Sequence, residues 1–259
     1  MGYRVLTNDV LRLLLAATTA LLLGHGQVCG QGARPQPADP KADAPFDLTG
    51  YWVSVVTQNW RLRMVTPPRG DYMGIPLTPA AKTLADAWDP AKDEAAGKQC
   101  KSYGAALIMT VPERLHITWQ DVNTMKMEID TGMQTRLFHF KDLTLHDSNH
   151  TWQGYSLASW VSRRSPGSAD YDPKARYLRV DTTHMLSGYL RKNGVPYSEN
   201  AVLKEYYDMI NEPSGETWMI VTTVLEDPVY LDYPLTLSAE FKRQPTASGW
   251  DPTPCSAKW

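Results

Sequence analysis

Between residues 105 and 241 apolar side chains recur at every second position, and this period of two constrains the chain more than any other feature. Leu115, Ile117 and Trp119 alternate with His116, Thr118 and Gln120; after a break at residues 121–123 come Met125, Met127 and Ile129. Gly132 marks a turn before the next run, 135–140, and further runs follow at 152–161, 177–184, 201–209, 218–225 and 235–241. Successive side chains of a strand point to opposite faces, so this alternation is the signature of a sheet. The separators carry Gly, Pro, Asn and Asp, as turns require. About eight or nine such strands in one domain predict a mainly β fold, an antiparallel barrel or a strongly curved sheet.

Several runs carry large side chains on both faces. In 177–184, Leu178, Val180, Thr182 and His184 share one side, while Tyr177, Arg179, Asp181 and Thr183 share the other. A sheet with one face in water shows cleaner polarity. The mixture fits a lipocalin-like barrel whose partly polar lumen holds a ligand, and it also fits a sheet covered by long loops. Only one helical region is legible, near residues 78–98. Thr78 serves as N-cap and Pro79 as first helical residue, with Ala81, Leu84, Ala85 and Trp88 following and Asp89-Pro90 ending the run. A second short helical stretch is expected over 93–98.

The beginning of the chain reads as an address. Arg4 and Arg12 flank a short polar start, and residues 11–24 form an apolar run too short to span a bilayer comfortably and followed by small residues. This predicts a signal peptide over 1–30 cleaved after Gly30, and a periplasmic or secreted protein with no stable membrane span. Cys29 raises lipidation, but Val28 is not the small residue expected before a lipidated cysteine. Residues 31–46 hold four prolines and few large apolar groups, so a flexible tether is expected there, with one domain over 47–259. Cys100 and Cys255 then remain, and two cysteines in an exported protein predict one disulfide holding the Pro-rich C-terminal tail.

A formal charge of -2 excludes a broad basic face, so no nucleic-acid partner is expected. No glycine-rich phosphate loop, nucleophile elbow, His-Glu-x-x-His helix or Cys-x-x-Cys pair occurs, and no cofactor is expected. The densest polar segment is 181–199. There His184 is the candidate general base, Glu199 its orienting carboxylate, and Tyr189 with Arg191 the oxyanion or acid groups. Asp181 points to the opposite strand face from His184, which makes Glu199 the better partner. The same segment also reads as a hydrogen-bonded hairpin end. Trp119, His139, Trp152, Tyr155 and Asp181 are candidate ligand-binding residues, drawn from a chain with nine Trp and thirteen Tyr. His146 and His150 sit in one polar loop, but nothing completes a metal site there and none is expected.

The order of short motifs is similar to that of a large set of uncharacterised exported bacterial β-rich proteins. The motifs are Asp47, Leu48, Thr49, Gly50 and Trp52; Pro76, Leu77 and Thr78; Trp152, Gly154 and Ser156; Val180, Thr182 and Thr183; Gly194, Pro196, Ser198 and Glu199; and Glu226, Asp227 and Pro228. The resemblance spans most of the chain after residue 46 and implies an exported single-domain β-barrel-like protein; it transfers no catalytic residue. The chain departs from it in the longer loop at 162–174. Two functions stay open at this stage. The first is binding of a small hydrophobic or aromatic molecule in a Trp/Tyr/Met-lined pocket. The alternative is a cofactor-free lyase, isomerase or hydrolase using His, Glu, Tyr and Arg in the same pocket. A third, envelope docking through an aromatic surface, has the least behind it, and no feature sets an oligomeric state.

Overall fold

A computed structural model describes residues 39–142, 149–164, 167 and 175–258. The strands are β1 (Gly50–Val55), β2 (Arg114–Trp119), β3 (Thr124–Ile129), β4 (Thr131–Gly132), β5 (Gln134–His139), β6 (Tyr155–Ser162) and β7 (Arg176–Thr183). They continue as β8 (Gly188–Tyr189), β9 (Pro196–Tyr197), β10 (Val202–Asn211), β11 (Thr217–Glu226), β12 (Leu235–Gln244) and β13 (Thr253–Pro254). Nine of them close a barrel in the order β1-β12-β11-β10-β7-β6-β5-β3-β2, with β2 returning to β1. The barrel is thus the outcome, not the open curved sheet. Its pairs are antiparallel except β5 with β6, which run parallel through Phe138 opposite Ser156 and His139 opposite Leu157. Gln153, just before β6, donates to the Gln134 side chain at the start of β5 at 2.9 Å, so the two strands set out from the same end of the barrel.

Alternation decides what faces inward. Trp52, Leu115, Ile117, Met125, Met127, Phe138, Leu178, Val180, Tyr207, Val221 and Phe241 are buried in one cluster inside the barrel. The Trp52 indole donates to the Leu48 carbonyl at 2.9 Å, and the Arg243 guanidinium lies over its ring at 4.5 Å. A barrel of this size has an interior that side chains can fill. The methionines and Tyr207 belong to that filling.

A second cluster caps one end. Leu203, Leu225 and Leu235, at the ends of β10, β11 and β12, pack with Leu77, Met185, Leu190, Val195 and Tyr197. The capping layer holds α1 (Trp60–Arg63), α2 (Pro79–Asp86), α3 (Pro90–Ala95), a 3-10 turn at Gln99–Tyr103 and α4 (Ala105–Ile108). As expected, α2 starts at Thr78, whose hydroxyl accepts from the Ala81 amide at 3.3 Å, with Pro79 in the first turn. The next helix starts at Pro90, earlier than the expected 93–98, because Asp89 caps it by accepting from Ala91 at 3.0 Å. The short elements, α1 and β13 among them, were not legible. Nor were β1, which lies before the periodic region, and α4 at its start, since an Ala-Ala-Leu-Ile run has no period of two to read.

The chain ends are tied to this frame. The disulfide between Cys100 and Cys255 is present, with Cα atoms 5.1 Å apart. It holds β13 parallel to β4, beside Gly132, whose φ of +78° and contact with the Tyr103 ring leave no room for a Cβ. At the other end, packed structure begins before Asp47. Pro40 is buried and accepts from the Trp160 indole at 2.8 Å, and Phe46 meets Trp160 edge-on at 5.4 Å. Residues 39–46 are therefore not a free tether: their one large aromatic ring closes the barrel end opposite the cap. Most of the 162–174 loop, and all of 1–38, lie outside the described residues.

Candidate functional site

At the capped end the polar groups divide into two sets. The first is inside the barrel. Arg136 and Glu205 are fully buried and paired by two hydrogen bonds, Nη1 to Oε1 at 2.8 Å and Nη2 to Oε2. The Tyr207 hydroxyl donates to Oε1 at 3.1 Å, Arg136 Nη2 reaches the Thr182 hydroxyl at 3.4 Å, and Thr182 shares a 2.7 Å bond with Ser156. Burial alone would lower the guanidinium pKa, but Glu205 and the Tyr207 hydroxyl outweigh it and raise it. Burial, reinforced by Glu205, raises the Tyr207 phenol. This set is close to satisfied and reads as a fixed strut across the lumen.

The second set surrounds a cleft of about 60 Å³ between the cap and the barrel rim. Its walls are apolar: Leu62 of α1, Ile75, Leu107 of α4, Leu190, and Leu235 with Leu237 of β12. Three cations line it, Arg63, Arg191 and Lys192. Asn59 at φ +53° turns the chain into α1 and brings Arg63 under the cap. There Nε donates to the Thr110 carbonyl at 2.7 Å, while Nη1 and Nη2 are buried with no acceptor among the described residues. Burial lowers the Arg63 pKa, opposed by Glu240 and Glu113.

The other two cations sit on the turn between β8 and β9. Asn193 fixes that turn by donating to the Pro68 and Asp71 carbonyls, each at 3.0 Å, and Gly194 at φ +85° packs against Trp88, where a Cβ would collide. Arg191 donates to the Met73 and Asp71 carbonyls, and burial lowers its pKa. Lys192 is half-buried, and desolvation pushes its pKa down to about 8 against the attraction of Glu113.

Glu113 stands between the two sets. It precedes β2 and is 4% exposed; its carbonyl accepts from the Ser54 amide and its amide donates to the Ser54 hydroxyl, each at 2.9 Å. Neither carboxylate oxygen has a partner among the described residues. Burial first, and the neighbouring Asp130 second, raise its pKa well above the ordinary value, opposed by Arg136, Arg63 and Lys192. Burial favours the protonated form of such a carboxyl. Glu113 itself lines a neighbouring recess with Ser54 and Asp130. The cleft thus combines apolar walls, an unsatisfied guanidinium and a lysine whose pKa is lowered by desolvation. Such a combination is a recognised mark of functional sites.

The candidate residues of 181–199 do not gather at one point. His184 follows the end of β7 at φ +56°, its Nδ1 2.8 Å from the Thr183 hydroxyl and its ring 5.5 Å from that of His150. Glu199 is exposed and makes no hydrogen bond or ion pair with His184 among the described residues. Tyr189 donates to Asp93 at 2.6 Å and accepts from Lys101 at 3.2 Å, and burial raises its pKa. Of that group Arg191 alone lines the cleft.

The ligand-binding candidates are equally dispersed. His139 and Tyr155 do come together, stacked at 5.1 Å, but on the face of β5 opposite Arg136 and Phe138; burial lowers the His139 pKa. Trp119 packs on Phe140 at 5.3 Å near the far end of the barrel. Trp152 is half-buried, and its carbonyl accepts from Ala105 at 3.0 Å. Asp181 pairs with Arg179 at 2.9 Å on the partly exposed face. His146 lies outside the described residues, and no group of three metal-ligating side chains occurs among those described.

The motifs carrying the resemblance all serve the frame. Leu77 and Trp52 are core, Thr78 is a helix cap, and Gly154 lies against the Thr183 carbonyl. Asp227 is buried and accepts from the Ser198 amide at 2.6 Å, the Ser198 hydroxyl at 2.7 Å and the Val229 amide at 2.9 Å. Sequence reasoning missed Arg63, Glu113 and Lys192 as site residues. The signals available were an Arg-Leu-Arg triplet, a lone acid between Pro112 and Arg114, and a basic turn. No helix of the described residues is long and apolar enough to cross a membrane. No family model matches the chain, and neither a curated protein nor a solved structure matches it.

Proposed function

We propose that the protein binds a small molecule with an apolar body and an anionic head in the cleft between the cap and β12, outside the cytosol. The observation that carries this reading is Arg63. Its two terminal nitrogens are buried between apolar walls with no acceptor among the described residues, and an arginine in that state leaves its donors for a carboxylate or similar anion. Arg191 and Lys192 add positive charge to the same cleft. By volume, about 10–15 Å³ of cavity holds one water, so the cleft takes about four to six water-sized groups, the size of a short-chain acid. The apolar run of residues 11–24 and the Cys100–Cys255 disulfide support export.

Titration calorimetry with short aliphatic and aromatic carboxylates, each paired with its neutral amide, tests the reading. Saturable binding of one acid per chain is expected, with the acid favoured about tenfold or more over the amide and weakening as salt rises. Arg63→Met should erase that preference while unfolding stays within about 1 kcal/mol of the parent, since the one bond lost, Nε to the Thr110 carbonyl, is offset by removal of a desolvated charge. Equal affinity for acid and amide, or no saturation by either, overturns it.

A further inference from the structure

Resting on the anion-binding reading of the cleft, we propose that Lys192 is a covalent site: its amine condenses with the carbonyl of a 2-oxo acid whose carboxylate is held by Arg63. Three features of the geometry meet there. Lys192 and Arg63 line the same small cleft, so an acid seated on the guanidinium brings any carbonyl beside its carboxylate towards the lysine. The turn carrying Lys192 is held by Asn193 and Gly194, which restricts where the amine can go. Leu190, Leu107 and Leu62 wall the same cleft, so the amine and the guanidinium share an apolar surround that favours the neutral amine.

The chemistry balances without a cofactor. The Lys192 nitrogen lone pair adds to the carbonyl carbon, the carbonyl π electrons move to oxygen, and a proton passes from the nitrogen to that oxygen, through water, to give a neutral carbinolamine. Its hydroxyl then takes a proton from solvent and leaves as water while the nitrogen lone pair forms the C=N bond. The products are a protonated imine and one water, and hydrolysis reverses each step. Desolvation favours the reactive form. A lysine at about 8 instead of 10.5 has about three hundredfold more neutral amine at neutral pH. A protonated imine is an electron sink, and it would permit proton removal or bond cleavage at the neighbouring carbon.

The test is trapping. The folded chain is incubated with pyruvate or glyoxylate and sodium borohydride, which delivers hydride to the imine carbon and fixes the adduct as a secondary amine. Intact mass and peptide mapping then locate it. One reduced adduct per chain is expected, at Lys192, accumulating about tenfold or more faster than at any other lysine. Lactate, which has the carboxylate but no carbonyl, should bind without an adduct and protect Lys192 from trapping. Lys192→Arg, which keeps the charge, should still bind lactate and lose the adduct.

Adducts spread evenly over the lysines, or unchanged in Lys192→Arg, overturn the proposal. If that variant does not fold, lactate protection of the parent chain decides: no protection overturns it. Lactate binding without trapping removes the covalent step and leaves anion binding intact, whereas failure of both removes the cleft reading as well.

Discussion

Two arginines with buried terminal nitrogens sit near the same end of the barrel in opposite conditions. Arg136 is enclosed by Glu205, Tyr207 and Thr182, with both terminal nitrogens paired. Arg63 lies in the cap with one bond to a carbonyl and two terminal nitrogens unused. Both positions cost desolvation, and only the first recovers it within the protein. A folded chain keeps few buried polar groups unsatisfied, so the contrast separates a strut from a seat. Glu113 belongs with Arg63 in this respect, since its carboxyl is as buried as Glu205 and has no partner among the described residues.

The contrast can be broken most severely at the strut. Arg136→Leu leaves Glu205 buried and uncompensated, and should cost about 3–5 kcal/mol in urea unfolding. A loss below about 1 kcal/mol would mean that the pair is not the support described. Glu113→Gln should act in the other direction. The folded-state pKa of Glu113 lies above its unfolded value, so its contribution is complete below about pH 4 and is lost as pH rises through the folded pKa. The glutamine variant should match the parent in acid and exceed it by about 1–3 kcal/mol in mild alkali. Parallel stability curves across pH would remove Glu113 from the comparison. The smallest effect is expected at Thr182→Val, which removes a hydroxyl from Ser156 and Arg136 but no charge. It should cost about 1 kcal/mol in the same unfolding assay.

The barrel was legible because its signal is local and repeated. Leu115, Ile117, Met125, Met127, Leu178 and Val180 each take the inward face that alternation assigns. The strut was not, because in Arg136-Leu137-Phe138 the apolar Leu137 competes for the inward face, and only the barrel's closure brings Glu205 opposite. The cleft was less legible still. Arg63 stands on a four-residue helix, Glu113 at a strand entry and Lys192 on a turn, so no spacing links them. Arg191 drew notice because it lies in a dense polar segment, and it reaches the cleft through its neighbour's turn. His184 and Glu199 lie in the same segment, and neither lines the cleft.

The place of β1 in the barrel has a consequence for the order in which the protein folds. This first strand lies between β2 and β12, with Tyr51 opposite His116 on one side and Gln244 on the other. One side can zip early, within a modest loop. The other must wait until almost the entire chain is available, and closing so long a loop is entropically slow. Folding should therefore pass through a nearly complete sheet with an open seam along β1 and β12. Shortening the chain before β12 would leave that seam as two free edges, each able to pair with a second molecule.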